Sequence, residues 1–323
     1  MNKLPKVELH LHLDGSIRPS TVAEILQQRE EWVKEKLVAQ DTCSDLNEYL
    51  TKFELPLQIL QTKENLIRVA RELAEDLVQD GVIYAEVRFA PMLHTKMGLT
   101  LDEVVCAVLK GFSFSSIPIQ VILCMMRDGT VEDNKQVIYL AQKYIKKGVC
   151  GVDLAGAEAI YATQNFLTLF EIAREKQISY TIHAGEADGI PSIQAALLTR
   201  TKRIGHGIRA IEDKSILDQI KKDGVLLEIC PTSNVQTKAV DHYLHHPIRE
   251  LYDMGCAISI NTDNRTVSNI TLTEEYQRLQ KYFHFTEEDF CKINKQAIAA
   301  SFLDDFNKKR LINIIDSYIL NKR

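Results

Sequence analysis

The first residues able to do chemistry lie in Val7-Glu8-Leu9-His10-Leu11-His12-Leu13-Asp14-Gly15-Ser16. Side chains alternate across a β-strand with period two. His10 and His12 therefore share a face, Asp14 follows if the strand runs on, and Leu9, Leu11 and Leu13 turn away. Two imidazoles on one face suit a divalent metal. Two ligands alone do not make a site, and ordinary strand histidines would read the same way. Three more apolar runs end in polar clusters: Thr181-Ile182-His183-Ala184-Gly185-Glu186, Ile204-Gly205-His206-Gly207 and Ile260-Asn261-Thr262-Asp263-Asn264. Three histidines and an aspartate brought together could bind one metal and leave a position for water. Nitrogen and oxygen donors suit Zn²⁺, with Fe²⁺ and Co²⁺ also compatible.

Something must carry these clusters to one place. Candidate strands are Val7–His10, Val82–Phe89, Ile119–Met125, Cys150–Leu154, Ser179–His183, Arg203–His206, Val225–Cys230 and Ala257–Asn261. Helical stripes lie between them, as at Ile67-Ala70-Leu73-Ala74-Leu77 and Phe166-Leu169-Phe170-Ala173. Eight strands alternating with helices predict a (β/α)₈ TIM barrel, whose sites form at the C-terminal ends of the strands. A doubly wound open sheet is the alternative, weakened by the absence of a Gly-x-Gly-x-x-Gly turn after the first strand. The connection from Leu13 to about Glu64 is a long insertion over the barrel mouth. In it Leu46, Tyr49, Leu50 and Phe53 form one helical face, a packing surface or an apolar lid over a flat substrate. After Asn261 the chain reads as helices over Leu272–Phe283, Thr286–Ala299 and Lys308–Leu320. With no repeat or linker, residues 1–323 read as a single domain.

The composition sets limits. The 323 residues are 45% hydrophobic, enough for a large core, and the formal net charge is −5. With no basic block, a nucleic-acid partner is not expected. Seven scattered cysteines without paired spacing read as reduced thiols in a cytoplasmic protein. Lys3, Lys6 and Glu8 interrupt any signal-like run, and no stretch is apolar enough to span a membrane.

Seven motifs in order carry a resemblance: Glu8 to Gly15, Glu86-Val87-Arg88, Asp153 to Gly156, His183 to Glu186, Ile204 to Gly207, Cys230-Pro231-Thr232-Ser233 and Asn261-Thr262-Asp263. Together they span nearly the whole chain, and the sequence resembles the adenosine deaminase family of the amidohydrolase superfamily. The resemblance implies that His10, His12, His183 and Asp263 hold one Zn²⁺ per chain. It implies hydroxide attack on purine C6, with Glu186 protonating N1, His206 orienting the hydroxide and Asp263 able to take a proton. His12, Asp14, Gly156 and Asn264 would bind the substrate, a purine nucleoside. Gly156 N–H would reach N3, Asp14 the ribose 5′-OH, and Leu46, Tyr49, Leu50, Phe53 and Met126 the apolar wall. The product would be inosine or 2′-deoxyinosine, with ammonia.

Asn264 departs from the pattern of animal members, which carry a second aspartate there. An amide donates a hydrogen bond to N7 without needing an added proton. Asp153 and Ser233 read as supports of ligands or as substrate contacts. Glu86 and Arg88 read as a structural pair or part of a barrel-interior network. His94, His242, His245, His246 and His284 read as surface or core residues. A two-metal hydrolase would need a bridging lysine at the end of the fourth strand, and none is there. The His-x-Glu plus Pro-Cys-x-x-Cys pattern of nucleic-acid deaminases is absent. Remaining alternatives are deaminases of adenine, AMP or an aminofutalosine-type nucleoside, and a silent nucleoside-binding barrel.

Overall fold

A computed structural model describes residues 1, 3–40 and 43–322. Its strands are β1 (Lys6–His12), β2 (Val82–Phe89), β3 (Ile119–Met126), β4 (Val149–Ala155), β5 (Ser179–Tyr180), β6 (His183–Ala184), β7 (Arg203–His206), β8 (Leu226–Ile229) and β9 (Ala257–Ile260). Neighbours pair in parallel as β1-β2-β3-β4-β5 and β6-β7-β8-β9. β5 and β6 are two halves of one stave. Between them Thr181 N–H donates to Val152 O (3.1 Å) and Gly205 N–H to Ile182 O (2.8 Å), so the two sheets join there. The predicted strand over Ser179–His183 is thus interrupted, while the first strand runs two residues past His10.

The barrel closes where the chain end of β9 meets β1. His12 N–H donates to Asp263 O (2.7 Å) and Asp263 N–H to His10 O (3.0 Å). Asn261 Oδ1 accepts from Leu9 and His10 N–H at 2.9 and 3.1 Å. A side-chain amide thus substitutes for part of a strand ladder. Period two sends Leu9 and Leu11 into the apolar layer under the helices, and His10 to the barrel axis.

The axis is charged. Glu86, Arg88, Arg203 and Glu228 are fully buried. Arg203 pairs with Glu86 and Glu228. Arg88 pairs with Asp153 and Glu228 at 2.8 Å each. Glu86 and Arg88 therefore belong to one interior network but do not pair with each other. Ions this deep persist only when each is matched by hydrogen bonds.

The insertion after β1 forms α1 (Pro19–Leu26), α2 (Glu30–Leu37), α3 (Leu46–Leu50) and α4 (Glu54–Ile59), before α5 (Lys63–Gln79). Asp45 caps α3 by accepting from Glu48 N–H, and a 3₁₀ turn over Thr51–Phe53 continues it. The C-terminal helices run Leu272–Phe283, Glu287–Ala300 and Asp305–Leu320. The last starts three residues before its apolar pattern does, because Asp304 accepts from Asn307 N–H and fixes the first turn. Asn294 reaches back to β1, its Oδ1 accepting from Val7 N–H at 2.8 Å.

Candidate active site

One donor atom each from His10, His12, His183 and Asp263 lies within 4.8 Å of the others. Asp263 Oδ1 is 3.4 Å from both His10 Nε2 and His12 Nε2. His12 Nε2 is 3.4 Å from His183 Nε2. Such an edge is that of a tetrahedron with arms of about 2.1 Å, the usual Zn–N distance. His10 Nε2 is buried with no hydrogen-bond partner among the described residues. A cation is what this donor set fits.

The second nitrogen of two of these rings meets a carboxylate. His10 Nδ1 lies 2.8 Å from Glu228 Oε2, and His183 Nδ1 lies 2.9 Å from Asp153 Oδ2. This arrangement directs Nε2 to the centre and raises the basicity of the ligand. Ser233 donates to Asp263 Oδ2 at 2.6 Å, leaving Oδ1 for the centre. Asp153 and Ser233 thus contact residues of the donor set. Burial works to raise the Asp263 carboxyl, but the hydrogen bond and charge of His10 and the charge of His12 hold it well below the carboxylate range. Burial lowers His10 and His12. Neutral imidazoles beside a carboxylate are the metal-ready form.

His206 and Asp263 both have positive φ, 61° and 60°. A non-glycine residue there stores on the order of 1–3 kcal/mol, and such strain collects at functional sites. The Glu186 carboxyl is pushed up to about 7, chiefly by burial and then by the Asp263 charge. Thr237 Oγ1 donates to Glu186 Oε1 at 2.8 Å, and Glu186 Oε2 lies 3.4 Å from His206 Nε2. The backbone of this loop is held by Glu158, whose carboxylate accepts from the N–H groups of Gly185, Glu186, Ala187 and Asp188.

These groups open onto a cavity of about 380 Å³. His12, Asp14, Gly156, His183, Glu186, His206, Asp263 and Asn264 all reach it, and Leu46, Tyr49, Leu50, Phe53 and Met126 supply apolar wall. Asp14 is buried, its Oδ1 without a hydrogen-bond partner among the described residues. Gly156 has φ +107°, which only glycine adopts freely. At Gly15 a Cβ would sit 1.9 Å from Asn264 Oδ1, so the absent side chain makes room for Asn264. A larger cleft of about 860 Å³ lies beside the loop after Asn264. Among its lining residues Arg18 pairs with Asp76 and Arg265 with Asp80.

The adenosine deaminase family model matches residues 5–318. The chain belongs to the adenosine deaminase family. It is 41% identical to the adenosine deaminase of Clostridium acetobutylicum over 326 residues, covering 97% of each chain. Among solved structures it superposes on an adenine deaminase from Arthrobacter aurescens with TM-score 0.88, at 25% identity, over 98% of this chain and 99% of that one. An N6-methyl-AMP deaminase from Arabidopsis thaliana gives TM-score 0.87 at 28% identity, over 98% and 97%.

Glu228, Glu158, Asn234 and Thr237 had no signal of their own in the sequence. His246, read there as surface or core, is buried and bonded to Asn234. His94 is buried too, 3.9 Å from Asp14. All seven cysteines are free. No helix among the described residues is long and apolar enough to cross a membrane.

Proposed function

We propose that this chain hydrolyses adenosine and 2′-deoxyadenosine to inosine and 2′-deoxyinosine with release of ammonia. The observation that carries the reading is one cavity holding a buried acid raised to about 7, a four-donor cation set and an apolar wall. His10, His12, His183 and Asp263 would hold one divalent cation, and the donor types suit zinc. Such an ion supplies Lewis acidity and lowers the pKa of water to about 7.

The side chains do the rest. Glu186 holds a proton and delivers it to purine N1, which makes C6 electrophilic. Thr237 occupies Glu186 Oε1 and leaves Oε2 for the substrate. His206 orients the incoming oxygen at C6, and Asp263 accepts its proton. Asp263 passes that proton to N6, the C6–N6 bond breaks, and ammonia leaves as the C6 hydroxyl gives its own proton back to Glu186 and becomes the carbonyl. Gly156 N–H reaches N3, Asn264 faces N7, and Asp14 accepts from the 5′-hydroxyl. The walls from Leu46 to Phe53 cover the flat base and keep out bulk water.

Ultraviolet absorbance followed in parallel with adenosine, deoxyadenosine, adenine and AMP tests the reading. Turnover of the two nucleosides ahead of adenine and AMP is expected. No turnover of adenosine by the metal-loaded protein rejects it.

A further inference from the structure

His206 lines the cavity, and its Nε2 is buried, 3.4 Å from Glu186 Oε2 and without a hydrogen-bond partner among the described residues. Whether that nitrogen carries a proton decides whether the ring donates to an oxygen or accepts from one. A backbone N–H can only donate, and one such group starts the chain. Ile248 N–H donates to His246 Nδ1 at 3.1 Å. His246 Nδ1 is therefore an acceptor, and in the neutral ring the proton sits on Nε2. His246 is held neutral, pushed down to about 3 by burial and then by the neighbouring His206. His246 Nε2 lies 3.2 Å from Asn234 Oδ1, so it donates there. That fixes the amide, with Nδ2 turned to His206 Nδ1 at 3.0 Å. His206 Nδ1 therefore accepts. A ring whose Nδ1 accepts a hydrogen bond is neutral and carries one proton. Its single proton is left on Nε2.

We propose that Asn234 and His246 are positioning residues that hold His206 as the Nε2–H tautomer, so that the ring faces the reacting oxygen as a hydrogen-bond donor and not as a base. Every hydrogen bond from Ile248 to His206 runs in one direction, and reversing any one would place two donors or two lone pairs against each other. All three side chains are buried, so water does not substitute for a lost partner. The consequence for chemistry rests on the deaminase reading: with His206 Nε2 already protonated, the proton of the attacking water goes to another group, and Asp263 is in reach of the same cavity.

Two-bond ¹H–¹⁵N correlation spectra of the full-length, metal-loaded, ¹⁵N-histidine-labelled protein read the tautomer directly. The His206 signals are assigned by their loss in His206→Asn. The expected spectrum has His206 Nδ1 bare and Nε2 protonated. In Asn234→Asp, a carboxylate of nearly the same shape accepts where the amide donates, and Nδ1 gains a proton. His246→Leu loosens the amide and lowers kcat about tenfold with KM little changed. His246→Gln, which keeps an N–H for Asn234 Oδ1, restores the turnover. A parent protein with His206 protonated on Nδ1 alone overturns the proposal. So does an unchanged His206 spectrum in Asn234→Asp, or equal turnover in the two His246 variants. The spectra need no substrate, so a failure to deaminate adenosine sinks the deaminase reading without touching this one.

Discussion

The Tyr49 hydroxyl lies 3.0 Å from Asn264 Nδ2 and 2.7 Å from Ser268 Oγ. All three residues are buried. Tyr49 belongs to α3, so one phenol ties the cover of the cavity to the loop that follows Asp263. With one amide N–H on Tyr49, Asn264 keeps a second, which the proposed binding mode gives to the substrate. Tyr49→Phe and Asn264→Ala should therefore act on one interaction. Each should lower kcat/KM, and the double variant should lose less than the product of the two, with a coupling of about 1 kcal/mol. Strictly multiplicative losses would show that the two side chains work independently.

The cation has a signature besides activity. A ligand that binds only the folded chain stabilises it by mass action, by about 4 kcal/mol at a thousandfold excess over Kd. Chelation should lower Tm, and restoring zinc should raise it again, with about one metal per active chain by elemental analysis. His183→Ala should remove the zinc-dependent part of Tm. An unchanged Tm on chelation, with the metal shown to be gone, would count against the His10, His12, His183 and Asp263 set.

Glu228 links the barrel axis to the site, since the same carboxylate meets Arg88, Arg203, Thr181 and His10. Glu228→Gln keeps the shape and removes the charge between two buried guanidinium groups. Breaking such a network costs roughly 3–5 kcal/mol. Through His10 it should also weaken the metal by about 10- to 100-fold. Urea unfolding and competition with a chelator measure the two effects separately. Loss of neither would reduce Glu228 to a bystander.

In the proposed reaction Glu186 must be protonated to serve N1, and its carboxyl is raised to about 7 by burial, then by Asp263. The acid form declines as pH rises through that value, so kcat/KM should fall on the alkaline side. A bound cation draws the midpoint lower. Without metal, the native state holds this proton between the ordinary 4.5 and about 7, and the unfolded chain does not. Parent stability from this group therefore declines as pH rises across that window, and Glu186→Gln should not share the decline. The variant should bind nucleoside and lose on the order of 10²–10⁴ in turnover. Near-normal turnover would take Glu186 out of the reaction.

Asp14 bears on nucleoside against nucleotide. Burial pushes its carboxyl up to about 6, still ionised for the most part at neutral pH. A carboxylate accepts from a 5′-hydroxyl and repels a 5′-phosphate. At about 4 Å and an effective dielectric of about 20, each like pair costs on the order of 4 kcal/mol before relaxation. Adenosine should be preferred over AMP, and Asp14→Asn should weaken adenosine turnover while narrowing the gap. A parent enzyme that favours AMP would overturn this role for Asp14.

The donor cluster was legible because period two is a local property. His10 and His12 must share a face of β1 whatever surrounds them, and an apolar run ending in His183, His206 or Asp263 marks a strand end from its own residues. The interruption between β5 and β6 was not legible, because Thr181 and Ile182 are as apolar or branched as a continuous strand requires. Only their partners on β4 and β7 divide it. The last helix began early for a similar reason, since a cap acts through one side chain and leaves no mark on the apolar period.

The sequence by itself determined the barrel order, the donor types and their strand ends, since each depends on neighbours a few residues apart. Tertiary structure alone decided what stands behind those donors. Glu228 meets His10 across 218 positions, and Asp153 meets His183 across the barrel wall. Asn234 and His246 reach His206 from a helix and loop beyond β8. Hydrogen bonds need positions good to a few tenths of an ångström and a defined donor direction. Residue type and spacing carry neither across a closed barrel, where the register between distant strands sets both.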